Sequence, residues 1–219
     1  MADFETILGG VGVKATAAAL DRAYEESASY LGRLWAKNRD VPVAEHVRAI
    51  LGALDGKLAA RLPDDVMTSL VDVYTRPLLM VPPSVDPGAR GALERLRAEG
   101  VVLAVVSNTM RTPGSALRKL LDRHGLLACF AHVTFSDEVG IRKPDPEIFA
   151  LTLRALGVEP AEAAHVGDDD VLDVLGARNA GLRSILVTGK PVAPSGSHRP
   201  DAVIPRLAAL ADAVAQLQT

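Results

Sequence analysis

Three short stretches of this 219-residue chain carry side chains able to hold and polarise an anion. In VVLAVVSNT, Ser107 and Asn108 directly follow an apolar run, and a hydroxyl beside an amide can hydrogen-bond phosphate oxygens. Alone, the pair is equally the turn that follows any strand. In FSDEVGIRKPDPEIF, Lys143 stands just before a helix opening at Pro146, where an ammonium is a compact positive charge for phosphate or carboxylate. Asp145 reads as the N-cap of that helix rather than as a ligand, and Pro144 and Pro146 stiffen the approach. In AAHVGDDDVLDVLGARNAG, Asp168, Asp169, Asp170 and Asp173 crowd a strand end and a helix start. Caps account for one or two of them. Four acids within six residues repel one another unless a lysine or a cation neutralises them. Hard oxygen ligands of this kind suit Mg2+, which takes few protein carboxylates and keeps several waters.

Groups of this kind need strand ends to hold them, and the chain after Pro82 supplies an alternating pattern. Asp86 and Pro87 read as the cap and first residue of a helix that ends at Gly100. The β-branched run over 101–106 reads as a buried parallel strand. A helix over about 113–124 and an apolar run over 130–135 follow. Next come a helix over 146–156, a strand over 163–166, a helix reaching 180 and a strand over 184–187. A short strand near Val203 and a helix from about Leu207 complete the chain. The alternation predicts an α/β fold with a doubly wound parallel sheet, whose ligands sit at the carboxyl ends of the strands.

Before Pro82 the pattern is helical only. Leu20, Tyr24, Ser27, Leu31 and Leu34 or Trp35 recur at helical spacing, and further helices are expected over 44–54 and 64–76. Residues 12–82 therefore read as an all-helical unit and 83–219 as the α/β core, with 1–11 the end of a helix leading into the helical unit. Trp35 and Tyr24 are expected to pack in its core, and 189–200 reads as a surface loop.

Composition narrows the partners. A net charge of −3 with no Lys/Arg run offers no field for nucleic acid. The single cysteine, Cys129, excludes an intramolecular disulfide and reads as a buried thiol in a reducing, cytoplasmic setting. No apolar run approaches the roughly 20 residues that span a bilayer, and the N-terminus lacks the features of a secretory signal. The five histidines show no HxxxH pairing, which argues against zinc, and His165 reads as a packed residue.

Ser107-Asn108, the KPDPEIF stretch from Lys143 and the HVGDDDVLD stretch from His165 resemble, in order and spacing, three of the four motifs of the haloacid dehalogenase superfamily of hydrolases. The resemblance runs from Gly12 to the C-terminus, the helical unit matching that family's inserted cap. It implies that Ser107 binds the transferring phosphoryl group and that Asn108 shapes that loop. Lys143 would neutralise nucleophile and phosphoryl oxygens. Asp168 would ligate Mg2+, Asp169 would be an additional ligand, and Asp173 would hold a metal-bound water or orient Lys143. The implied activity is Mg2+-dependent hydrolysis of a small phosphorylated metabolite through an aspartyl-phosphate.

The family's first motif, an apolar strand ending in a D-x-D-x-T type sequence, has no counterpart here. Asp3 has only Met1 and Ala2 before it, too short for a strand. In the family that strand lies mid-sheet, so its loss would leave two unpaired backbone rows. A start assigned roughly 20 to 30 residues too late explains this best, by the argument that few folds tolerate an opened core. The expectation for these 219 residues alone is little or no phosphatase activity. The alternatives are a non-catalytic binding protein on the same fold and a metal-independent 2-haloacid dehalogenase, which the acidic loop disfavours.

Overall fold

The structure, a computed structural model, describes residues 2–190 and 197–217. Half of the loop expected over 189–200, residues 191–196, thus falls outside the described residues. The first third is helical: α1 (Ala2–Gly10), α2 (Ala17–Trp35), α3 (Val43–Leu54), the single turn α4 (Leu58–Arg61) and α5 (Asp64–Met80). Thr16 starts α2 by accepting the Ala19 N–H on its side chain. The helical spacing buries Leu20, Ala23, Ser27 and Leu31. Leu20 and Ala23 pack with Val47, Ile50 and Leu70 around Phe4 and Leu8 of α1. The last helix runs on past residue 76, through Pro77, to Met80. Proline orphans one carbonyl a turn earlier, but Met80 is well exposed, so water can reach this turn.

The core contains α6 (Ala89–Ala98), β1 (Ala104–Ser107), α7 (Gly114–Arg123), β2 (His132–Phe135), α8 (Ser136–Val139) and α9 (Pro146–Leu156). Then come β3 (Ala164–Gly167), a π-helical stretch over Asp170–Leu175, α10 (Gly176–Asn179), β4 (Arg183–Val187), β5 (Ala202–Ile204) and α11 (Leu210–Leu217). Among the described residues every strand pairing is parallel: β1 with β2, and β3, β4 and β5 in that order. One face is covered by Leu96 of α6 and Leu210 of α11, the other by Ile148 and Phe149 of α9 and Ala177 of α10. Helices on both faces of a parallel sheet make this a doubly wound α/β core, with the helical unit preceding it in the chain. No described helix is long and apolar enough to cross a membrane.

The sheet is interrupted in its middle. β1 and β3 do not pair, and a cavity of about 940 Å3 lies between them, lined by 104–106 and 164–166 and flanked by Leu96, Leu210, Phe149 and Leu153. Burial records the interruption: β1 is only half-buried along its length, whereas Ser184, Ile185 and Leu186 of β4 are buried. The strand expected over 101–106 shortens to Ala104–Ser107. Val101 donates instead to Leu96 O across the left-handed Gly100 (φ 82°), which closes α6. At the other end of α6, Asp86 Oδ1 accepts the Gly88 N–H at 2.7 Å, so the helix opens at Ala89 and not at Pro87.

Candidate active site

β1 ends at Ser107, and Asn108 just beyond it joins two loops. Its Oδ1 accepts the Lys143 N–H at 2.7 Å and its Nδ2 donates to Lys143 O at 3.0 Å. Both faces of the amide are therefore turned to the lysine backbone, and the side chain holds the loop that carries the ammonium. Asp145 caps α9 by accepting the Glu147 N–H at 3.0 Å, and Pro146 occupies the first turn. Lys143 Nζ donates to Asp173 Oδ1 at 2.6 Å, with the two side chains only 11% and 6% exposed. The structure thus brings Ser107, Asn108, Lys143 and Asp173 to one rim of the core, with Asp168 on the same acidic loop.

Asp173 reaches that position through its backbone. The N–H groups of Asp173 and Val174 both donate to Asp169 O, at 3.0 and 3.2 Å, and this widened turn gives the π-helical stretch where a regular helix was expected. The carboxylate then lies over Gly167, where an added Cβ would fall 2.1 Å from Asp173 Cγ. Only glycine leaves room for it. Asp173 Oδ2 accepts the Asp168 and Asp169 N–H groups at 3.1 and 3.0 Å, and His165 Nε2 donates to Oδ1 at 2.8 Å. Burial alone would push the Asp173 pKa up. The His165 hydrogen bond and the Lys143 charge outweigh it and hold the carboxyl well below the usual carboxylate range. Burial pushes the His165 imidazole down, towards its neutral form.

The other acids divide by role. Asp169 Oδ1 accepts the Val171 and Leu172 N–H groups at 2.9 and 2.7 Å, an N-cap geometry. Asp170 accepts the Ser197 N–H at 3.0 Å and the His198 N–H at 3.3 Å. Asp168 has no side-chain partner among the described residues, and Ser107 Oγ makes only a 3.4 Å contact with Asn108 O. Of the three aspartates expected as metal ligands, Asp168 alone keeps its whole carboxylate available. No cluster of three or more His, Cys, Asp or Glu suited to a metal occurs among the described residues. One free carboxylate next to a neutralised one still fits Mg2+, which is commonly held by one or two carboxylates plus waters and substrate oxygens.

Sequence reasoning missed several participants. His165 stacks edge-on against Phe149 (centroids 5.0 Å apart), as a packed residue would, yet it also bonds Asp173. Tyr24 packs against the helical core as expected, whereas Trp35 is only partly buried and lies outside that cluster. Trp35 Nε1 donates to Asp40 at 3.1 Å, and the Arg111 guanidinium lies 4.2 Å over the Tyr24 ring. Asp40, Thr109, Ser136 and Arg142 form a buried polar group beside the site, joined by bonds that span up to 102 residues of chain. No local signal announces pairs so distant.

Comparison with known proteins gives consistent relationships. Residues 12–181 match the family described as "Hydrolase: haloacid dehalogenase-like hydrolase". The chain is 45% identical over 101 residues to a phosphoserine phosphatase of Thermus thermophilus, covering 46% of this chain and 39% of that protein. It is 34% identical over 166 residues to haloacid dehalogenase-like hydrolase domain-containing protein 3 of Mus musculus, covering 76% and 60%. A glyceraldehyde 3-phosphate phosphatase of Pyrococcus furiosus is 39% identical over 101 residues, covering 45% and 40%. The chain spans about two to three fifths of the length of these curated relatives. Among solved structures, a 2-haloacid dehalogenase from Pseudomonas syringae superposes with a TM-score of 0.67 over 98% of this chain and 89% of that one, at 24% identity, a likeness of fold. A HAD phosphatase from Thermococcus onnurineus superposes with a TM-score of 0.55 at 26% identity, covering 89% and 87%. With more than half of its residues matched by the family and with this fold, the chain belongs to the haloacid dehalogenase-like hydrolases.

Proposed function

We propose that this chain forms the phosphate-binding and cation-binding side of a Mg2+-dependent phosphomonoesterase acting on a small phosphorylated metabolite. One observation carries the reading: a nearly buried Lys143 ammonium, fixed 2.6 Å from Asp173, shares a rim with Ser107 and the unengaged Asp168. Ser107 Oγ and Lys143 Nζ would hold the phosphoryl oxygens, and Asp168 would ligate Mg2+. The bound cation supplies charge neutralisation at the transferring group. Asp173 orients the lysine, and Asn108 and Asp169 fix the two loops. The phosphoserine and glyceraldehyde 3-phosphate phosphatases among the relatives support a phosphate monoester as substrate. A metal-independent dehalogenase has no evident use for a free carboxylate at position 168.

The cavity between β1 and β3 opens a second part of the reading. An aspartyl-phosphate route needs an attacking carboxylate at the rim, between Ser107 and Asp168. An apolar strand lying in the cavity would deliver one from its carboxyl end. The rim aspartates of these 219 residues hold and orient instead, so turnover by this chain alone is expected to be small. Calorimetric titration with inorganic phosphate tests the binding part, in Mg2+ and in excess EDTA. Binding should require Mg2+, vanish in Asp168→Ala and weaken at least about tenfold in Lys143→Ala, the scale of one lost charge-assisted contact. Phosphate binding indifferent to EDTA would refute the metal role. Ready turnover of p-nitrophenyl phosphate, abolished by Asp168→Ala, would refute the small-turnover expectation.

A further inference from the structure

Between α2 and α3 the helical unit sends a short segment, 38–40, against the loop that leads to Lys143. The two run antiparallel: Asp40 N–H donates to Gly140 O at 3.0 Å, Arg142 N–H donates to Asn38 O at 3.1 Å, and Arg39 bridges Ile141. Arg39 also pairs with Asp145, the cap of α9, at 2.8 Å. Beneath this seam lies the Asp40–Arg142 ion pair, 2.8 Å long, its side chains 0% and 9% exposed.

Asp40 collects donors from three parts of the chain. Its Oδ2 accepts Arg142 Nη1 and, at 2.5 Å, the Ser136 hydroxyl; its Oδ1 accepts Trp35 Nε1 and the Val41 N–H. Arg142 Nη1 also donates to Thr109 O at 3.0 Å, and the guanidinium lies 4.4 Å over the Trp35 ring. Thr109 N–H donates to Ser136 Oγ at 2.7 Å. The residues next in chain to this cluster are the site itself: Asn108 precedes Thr109, Lys143 follows Arg142, and the two are joined by the reciprocal amide bonds described above. A shift of Arg142 must therefore move the lysine backbone or break the Asn108 bonds.

We propose that Asp40 and Arg142 are positioning residues for Lys143. Their buried pair fastens the helical unit to the loop carrying the lysine, so that the seating of one sets the position of the other. The fastening itself is independent of what Lys143 does; its importance for phosphate rests on the function proposed above.

Lysine acetylation by acetic anhydride, resolved peptide by peptide with mass spectrometry on the full chain, reads the seating directly. Lys14, Lys37, Lys57, Lys119 and Lys190 are exposed and serve as internal references, whereas Lys143 is largely covered. Asp40→Asn and Arg142→Met should each raise the Lys143 rate at least about tenfold while the references stay unchanged, as expected when a charge partner is left alone. The double variant Asp40→Leu/Arg142→Met removes both charges and keeps apolar volume. It should recover most of the thermal midpoint, yet leave Lys143 fast, an outcome that a purely stabilising pair would not give. Lys143 remaining as slow as in the parent, in the singles or in the double, overturns the proposal. Should a single variant fail to fold, Trp35→Phe deletes one donor to Asp40 and should still speed Lys143 about two- to threefold, as for one lost hydrogen bond; no change there also overturns it. Inorganic phosphate titrated into the same variants separates the two readings. Fast Lys143 labelling with undiminished phosphate affinity keeps the fastening and refutes the lysine's phosphate role.

Discussion

Gly167→Ala puts the geometry of the acidic loop to its hardest test. The new Cβ would lie 2.1 Å from Asp173 Cγ, 2.2 Å from Oδ2 and 2.6 Å from Cβ. No rotation of Asp173 clears all three atoms, and its backbone is held by the bonded Asp169 carbonyl. The carboxylate must leave its seat. It then loses Lys143, His165 and the Asp168 and Asp169 N–H groups together. Separating a buried ion pair costs about 3–5 kcal/mol, and each N–H left without a partner adds about 1–3 kcal/mol where water is excluded. The N–H groups here are only half-buried, so water can replace part of that loss, and about 4 kcal/mol is a fair total. At roughly 2–4 °C per kcal/mol for a chain of this size, the thermal midpoint should fall by about 8–16 °C. Scanning calorimetry with circular-dichroism melts measures it, and Lys143 acetylation should rise in the same variant. A midpoint within about 2 °C of the parent, with Lys143 still protected, would refute the close approach of Asp173 to residue 167 and the coupling built on it.

Gly52→Ala supplies the opposite sign: it lies within α3 with no atom of the described residues within 4 Å of an added Cβ, so the variant should gain about 0.5–1 kcal/mol in urea unfolding. His46 is buried between Trp35 and Tyr74, and neither ring nitrogen has a hydrogen-bond partner among the described residues. Burial pushes its pKa below the ordinary 6.5, against the pull of Asp40 and Asp137 and with the push of Arg142. The unfolded chain therefore takes up this proton first, so the contribution of His46 is complete above pH 6.5 and is lost as the pH falls below it. Replacing it in His46→Leu should flatten the decline of the urea midpoint as the pH falls below 6.5; an unchanged slope would count against a neutral, buried imidazole. Asn108→Ala deletes the two bonds to the Lys143 backbone and should cost about 1–3 kcal/mol, with weaker phosphate binding in the calorimeter.

What could be read from sequence was set locally. The helix expected over 146–156 is observed as Pro146–Leu156, because its first-turn proline lies inside the segment and its Asp145 cap and the left-handed Gly157 (φ 67°) adjoin it directly in the chain. The Lys143 loop and the acidic loop were legible as chemistry because their side chains stand in short runs. What failed depended on partners. The extent of β1 is decided by a neighbour it has on one side only, and the π-helical turn by the docking of Asp173 on Gly167. Asp40 and Arg142, 102 positions apart in the chain, look like ordinary surface charges until the fold brings them together. His165 fills a packing role against Phe149 and a bonding one to Asp173 at once, and the bond depends on the turn that folds Asp173 back over Gly167.

The divided sheet also inverts the usual order of protection inside a fold. Arg183 N–H donates to Ala163 O, so alternation along β3 turns the peptide groups of Ala164 and Val166 away from β4 and towards the cavity. In most α/β proteins the centre of the sheet is the last place where deuterium arrives. In this one, solvent has a route to the middle before it reaches the Ile185 amide in fully flanked β4. The molecule should breathe from the inside outward, and whatever came to lie along those two peptide groups would silence exchange there first.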